Sequence, residues 1–259
     1  MFATKRRSEM LRIIRERQTM SVTELISMFD ESAATIRKDL TYMAENGLVT
    51  RTRGEVHIKH TEAAAAPHVT PFDMRSAMYK SEKRAIAKEA IKYIQNVDSI
   101  LLDSGSSTYE LAGLIAQHRC DLTIVTNSLP AAQLLSTSQN SVFLAGGMIF
   151  SQNSSTQGPE TEQYISKIEA DKAFIGATGA KGHGGLYASS PYEESLKRRL
   201  IKSAHTVYAL VDHSKFNKTS MYLFADYKDI DYIITDKPVA DEELRKRIED
   251  AGTKIIVAE

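Results

Sequence analysis

One cysteine, Cys120, stands in 259 residues, so an internal disulfide framework is impossible and a cysteine-based zinc site has too few ligands. No apolar run approaches the length that crosses a bilayer, and the opening MFATKRRSEM lacks the apolar core of a secretory signal. The expectation is a cytoplasmic protein with no membrane partner. Net charge is missing as well, since 33 Lys and Arg balance 33 Asp and Glu. The overall balance therefore does not point to nucleic acid, but the distribution does: residues 1–60 hold eleven basic against eight acidic side chains, leaving 22 against 25 in the rest. What is present in ordinary amount is core-forming material, 42% hydrophobic and 25% charged, enough for two domains.

Ser21 to Ile58 organises the first sixty residues. A first helix is expected over Arg7–Gln18, with Met10, Leu11, Ile13 and Ile14 on its apolar side. Ser21-Val-Thr-Glu24 has capping-box spacing, so a second helix starts at Val22 with Leu25, Ile26 and Phe29 as core contacts. A third is predicted over Ala33–Asn46, after the N-cap Ser32 and before Asn46-Gly47. Its Ile36, Leu40, Met43 and Ala44 recur at helical spacing and turn Thr35, Arg37, Lys38 and Thr41 outward. An apolar back and a basic front suit the major groove, although any amphipathic surface helix carries some basic residues. Leu48 to Ile58 then alternates around Gly54 as a hairpin, with Arg51 and Arg53 on one strand face. Double-stranded DNA is the expected partner, and Ser32, Thr35, Arg37, Lys38, Thr41, Arg51 and Arg53 are the candidate contacts.

The run ending in ATIRKDL, followed by NGLVTRTRG, resembles the N-terminal domain of DeoR-family bacterial transcription regulators. Members of that family usually close the wing with a His-Gly-Gly-Ala type sequence; here the positions read Arg53-Gly54-Glu55-Val56.

Residues 1–59 are thus expected to form a winged helix-turn-helix, and 60–71, aperiodic and holding two prolines, a linker. Residues 72–259 form a second domain. Ser81–Gln95 reads as a helix; from Ser99 onward come the short apolar runs SILLD, DLTIVT, SVFLAG, KAFIGA, TVYALV, YIIT and KIIVA. Strands alternating with helices imply an α/β fold with a mostly parallel sheet, whose ligands bind beyond the carboxyl ends of the strands. The loops there are Asp103-Ser-Gly-Ser-Ser-Thr108, Thr126-Asn-Ser128, Gly146-Gly147 and Asp212-His-Ser-Lys-Phe216. The first opens a helix, where backbone N–H groups and hydroxyls suit a phosphate. It lacks the lysine and spacing of a nucleoside-triphosphate loop. Gly176–Gly185 is glycine-rich without dinucleotide spacing and reads equally as a pocket lid or a plain connection. His57 and His60 lack a third ligand, so neither a metal nor a cofactor is expected.

DSGSST, TNSLP, AGG and VDHSKF resemble the sensor domain of the same family, which is similar to the ribose-phosphate isomerase and CoA-transferase superfamily. The resemblance implies a phosphorylated sugar or polyol as effector. It implies Asp103, Ser104, Gly105, Ser106, Ser107 and Thr108 at the phosphate, with Thr126, Asn127 and Ser128 beside them and Glu193 and Lys215 as further pocket residues; Gly146 and Gly147 join the candidate pocket as one of its strand-end loops. The expected function is a regulator, a repressor of a sugar or polyol operon, acting as a dimer or tetramer on repeated half-sites. The alternative is a sugar-phosphate isomerase-like enzyme with an accessory DNA-binding head and Glu193 or Asp103 as base.

Overall fold

Hydrophobic spacing decides where each element starts and which face it buries. The structure is a computed structural model that describes residues 3–17, 19–45, 48–52, 54–58, 70–182 and 184–259. The expected helix stop at Asn46-Gly47, the wing residue Arg53, His60 and the expected linker up to residue 69 lie outside the described residues. The chain separates into two units, Met1–Ala66 and Pro67–Glu259, each with its own core.

In the first unit, α1 (Ala3–Arg17) is followed by β1 (Thr19–Ser21), α2 (Val22–Ser27), α3 (Ala33–Glu45), β2 (Val49–Arg51) and β3 (Glu55–Ile58). The core gathers Met10 and Ile14 of α1, Leu25 of α2, and Ile36, Leu40 and Met43 of α3, all fully buried. Each such side chain contributes roughly 1.5–3 kcal/mol by leaving water. Ser21 caps α2 by accepting from Glu24 N at 3.0 Å, as the spacing predicts. The Glu24 carboxylate, however, pairs with Arg17, and this ties α1 to α2. The hairpin is antiparallel with Arg51 opposite Val56, and Gly54 turns it at φ +88°, a conformation that favours glycine. β1 was not foreseen. It adds to the hairpin through Thr19–His57 and Ser21–Glu55 pairing, giving the order β1-β3-β2.

The second unit begins with α4 (Phe72–Ala77) and α5 (Lys80–Ala90), the latter ending in a 3-10 turn at Ile91–Tyr93. The expected Ser81–Gln95 helix is therefore shorter and tighter at its end. After this come β4 (Ser99–Leu102), α6 (Ser106–His118), β5 (Thr123–Thr126), α7 (Leu129–Leu135) and β6 (Ser141–Leu144). Next are β7 (Met148–Phe150), β8 (Ser155–Gln157), α8 (Pro159–Ile165), β9 (Ala170–Gly176), β10 (Gly185–Ala188) and α9 (Pro191–Lys202). The chain closes with β11 (Ala204–Leu210), β12 (Tyr222–Asp226), β13 (Tyr232–Thr235), α10 (Glu242–Asp250) and β14 (Lys254–Val257).

All seven apolar runs enter one sheet, ordered β14-β13-β11-β9-β4-β5-β6 and parallel throughout. Successive strand residues alternate between faces. Leu101, Ala173, Ile175, Val207 and Ala209 pack under Ile165, Leu196 and Ile248 of α8, α9 and α10. Ile100, Leu102, Phe174, Tyr208 and Leu210 face the other way, against Ile86, Leu111 and Leu135 of α5, α6 and α7. The chain runs outward from β4 to β6, then returns on the other side of β4 as β9, so the order reverses between β4 and β9. A crevice opens at such a reversal, past the carboxyl ends of the strands. Two antiparallel pairs, β7–β8 and β10–β12, stand outside the sheet. Among the described residues no helix is long and apolar enough to cross a membrane.

Candidate functional site

The first unit presents α3. Arg37, Lys38 and Thr41 are exposed and Thr35 is half-buried, so the four lie opposite the apolar back. Ser32 caps the helix, accepting from Thr35 N at 3.1 Å and sharing a 2.8 Å hydrogen bond with the Thr35 hydroxyl. Thr41 donates to Arg37 O at 3.0 Å and accepts from Arg51 Nη1 at 2.9 Å, so the wing strand is tied to the helix it flanks. The charge pattern holds one residue that sequence reasoning passed over. Asp39 also sits on α3 but is 2% exposed, with Arg6 Nε and Arg7 Nε each donating to it at 2.6 Å. Around Arg37 and Lys38 the outward charge is therefore basic, because the neighbouring Asp39 is consumed inside. Its spacing with Ile36 and Leu40 was the available signal. His57 is held by Thr19 and Thr52 at 3.0 and 2.9 Å, and among the described residues no group of three His, Cys, Asp or Glu forms a metal cluster.

In the second unit a cavity of about 210 Å³ occupies the crevice between β4 and β9. One end is the loop after β4. Ser104, Gly105, Ser106 and Ser107 line it at the N-terminus of α6, where free N–H groups gather. Asp103 lies just beneath, accepting from Gly176 N at 3.0 Å and from Lys197 of α9, which also donates to Gly176 O at 3.0 Å. The buried pair locks β4, β9 and α9 together at the cavity floor.

Glu193 lines the cavity too, with both oxygens engaged: Asn153 Nδ2 donates to one at 2.8 Å, and Ser189 N and Oγ to the other at 3.0 and 2.6 Å. Asn153 in turn accepts from Arg75 Nη2 at 3.2 Å. Lys215 lines the wall after β11, where burial pushes its amine down against the pull of Asp212. Asp212 accepts from Ser214 N at 3.1 Å through Oδ1, whereas its Oδ2 is buried without a hydrogen-bond partner.

Other residues named from the sequence do not reach the cavity. Thr108 turns its hydroxyl back onto Asp103 O and Gly105 O at 2.6 and 2.7 Å. Thr126 bonds Leu102 O at 2.7 Å, and Ser128 caps α7 by accepting from Ala131 N. Asn127 sits behind the loop, donating to Ser104 Oγ at 3.3 Å. Gly146 O accepts from Thr161, and at Gly147 a Cβ would meet Thr161 Oγ1 at 2.1 Å, so this glycine pair serves packing against α8. The glycine-rich 176–185 stretch is pinned by Ala180 N to Lys215 O and Lys181 N to Lys218 O, 2.9 and 2.8 Å, as a connection that walls the cavity at Ala177 and Thr178.

Sequence reasoning missed Arg75, Lys83, Lys197 and Lys218, which also line the cavity. Lys83 on α5 is 3% exposed; burial brings its amine down to about 8, and its Nζ donates to Arg75 O and Met78 O. No local pattern marks these cations, since each belongs to a segment of ordinary helix or turn composition.

Two family models match separate stretches of the chain. A family model for the DeoR-like helix-turn-helix domain matches residues 6–62, and one for the DeoR C terminal sensor domain matches 79–237. The chain is 32% identical over 260 residues to the HTH-type transcriptional regulator GolR of Listeria innocua, covering 100% of both. It is 29% identical over 236 residues to the glycerol-3-phosphate regulon repressor of Escherichia coli K12, covering 91% of each. Among solved structures, ribose 5-phosphate isomerase A of Methanocaldococcus jannaschii aligns with TM-score 0.38 at 20% identity, over 52% of this chain and 54% of that one. With one model matching the head, another more than half the chain, and a relative alike from end to end, the chain belongs to the DeoR family of DNA-binding transcriptional regulators.

Proposed function

We propose that the protein is a cytoplasmic repressor of a sugar or polyol catabolic operon whose hold on its operator is set by a phosphorylated sugar in the β4–β9 cavity. Residues 1–59 form the reading head, 60–71 the linker, and 72–259 the sensing and oligomerising body. The observation that carries the reading is the loop Ser104–Ser107 at the start of α6, which presents hydroxyls and a helix N-terminus to a cavity walled by cations. The name of the glycerol-3-phosphate regulon repressor points the same way. One head covers little surface, so two or four copies on repeated half-sites supply the affinity.

An isomerase-like enzyme is the less supported reading. Its nominated bases are both engaged, Asp103 by Lys197 and Gly176 N, Glu193 by Asn153 and Ser189. Each carboxylate would have to give up one of these partners to take a substrate proton.

The test is operator binding by the full chain, measured by fluorescence anisotropy with pentose and hexose phosphates added in turn. At least one is expected to change the dissociation constant by fivefold or more, the usual scale of allosteric coupling. Unchanged affinity with all of them would remove the effector from the proposal.

A further inference from the structure

Resting on the reading that several copies act together on DNA, we infer that the body assembles through the sheet edge formed by β6 and β7. The occupant of that edge is the same edge of a second copy of this chain, met across a twofold axis.

The first observation is a gap in charge. Asp, Glu, Lys and Arg make up 25% of the chain, yet residues 122–159 contain none of them and no His. That stretch supplies β5, α7, β6, β7 and β8. One end of the sheet is thus built without charge, whereas a solvated surface ordinarily carries it on roughly a quarter to a third of its positions. Depletion of charge marks the core of a protein interface. It also selects the partner. Near a twofold axis each side chain meets its own copy, so a charge there would face its like; a neutral surface escapes that repulsion.

The second observation is exposed apolar area. Phe143 and Leu144 at the end of β6, Met148 and Ile149 at the start of β7, and Tyr192 are 42% to 64% exposed. Only Ala145, Gly146 and Gly147 separate the first two pairs, and the Tyr192 ring stands 5.3 Å from that of Phe150 at the end of β7. Large side chains each offering about half of their surface give roughly 500 Å² together. A standard interface buries about 800 Å² on each partner, a little over half of it apolar. The patch therefore supplies the apolar core that a stable dimer needs, with exposed Ser141, Ser151 and Gln152 available to a neutral rim.

The third is the backbone. β6 closes one end of the sheet with β5 on its inner side, and among the described residues no strand pairs with its outer side. β7 likewise pairs with β8 alone. Open strand edges recruit another strand unless charge or proline guards them. The opposite edge of the sheet is guarded: β14 opens with Lys254 and packs beside α10, EELRKRIED. β6 and β7, reading SVFL and MIF, have no such guard.

The test is sedimentation velocity of the full chain over a series of micromolar concentrations. The parent chain is expected to be a dimer or larger. Phe143→Lys with Ile149→Lys sets like charges against each other at exposed positions. The pair is expected to raise the dissociation constant of that contact on the order of a hundredfold or more. Circular dichroism checks that it keeps the parent's fold; Phe143→Ser with Ile149→Ser, which adds no charge, is expected to weaken assembly in the same direction. Val257→Lys, at the exposed end of β14, is expected to leave assembly unchanged. Unchanged assembly in the folded Lys pair, or in the Ser pair should the Lys pair unfold, overturns the inference and leaves the reading of repeated half-sites standing. A parent chain that is monomeric throughout overturns both, and the neutral edge then belongs to a different partner.

Discussion

Asp39 stands among Arg37, Lys38 and Thr41 in the sequence, yet its carboxylate is buried against Arg6 and Arg7, away from the exposed side of α3. Burial pushes its carboxyl up, but hydrogen bonds from Arg7 and Arg6 outweigh this and hold it below the usual carboxylate value. A depressed carboxyl contributes stability that is full above the unfolded value, about 4, and lost as pH falls through the folded one. Thermal unfolding of the full chain is therefore expected to show the head transition losing stability on acidification below about pH 4. Asp39→Asn should lower that transition at pH 7 and flatten its acid dependence; an unchanged transition would mean that the two arginines do not depend on this partner. Gly147 makes the opposite point. Its place in a loop at the sheet edge suggested ligand contact, whereas its φ of +139° and the 2.1 Å approach of Thr161 Oγ1 to an added Cβ assign it to packing. Gly147→Ala is expected to destabilise the body by more than about 1 kcal/mol, the usual cost of forcing a side chain into that backbone region. If denaturant melting shows unchanged stability and only ligand affinity falls, the packing account is wrong.

At the scale of elements, legibility followed the strength of the repeating pattern. α3 was readable because Ile36, Leu40 and Met43 recur at its period, and the seven sheet strands because each is a short apolar run, the inner five largely buried and the edge strands β6 and β14 more exposed. β1, β7, β8, β10 and β12 were not. They are three to five residues long; β7 and β8 pair only with each other, and the partners of the rest, such as His57 for Thr19 or Asp226 for Gly185, lie far along the chain. α4 escaped as well, being one six-residue stretch after Pro71 without a full amphipathic repeat. The cavity was half legible for the same reason: loops at the ends of readable strands could be placed, whereas Arg75 and Lys83 enter from helices whose docking only the tertiary fold decides. If α3 is the reading element, Arg37→Ala should weaken specific operator binding by about 1–3 kcal/mol, the worth of one good base contact. Lys202→Ala, on the exposed last turn of α9 in the body, should leave it within experimental error. Similar losses for the two variants in a gel-shift titration would move the reading surface elsewhere.

For the whole molecule, the consequence of joining a DNA-reading unit to a ligand-holding unit is thermodynamic and independent of any particular route between them. If an effector changes operator affinity by a factor, the operator must change effector affinity by the same factor, because the four bound and unbound states form a closed cycle. The factor can exceed unity only if the ligand binds the states of the protein unequally; a ligand gripping both alike shifts nothing, however tight. The proposal that the cavity governs the head thus makes a paired numerical claim. Effector affinity measured calorimetrically with and without saturating operator should shift by the factor that the same effector imposes on operator affinity in anisotropy, in the same salt. Salt must be matched because phosphate contacts by basic side chains release counterions and make DNA affinities steeply ionic-strength dependent. A large effect of effector on DNA with no reciprocal effect of DNA on effector would break the cycle for a single ligand site. The modulation would then have to come from ligand bound outside the β4–β9 cavity.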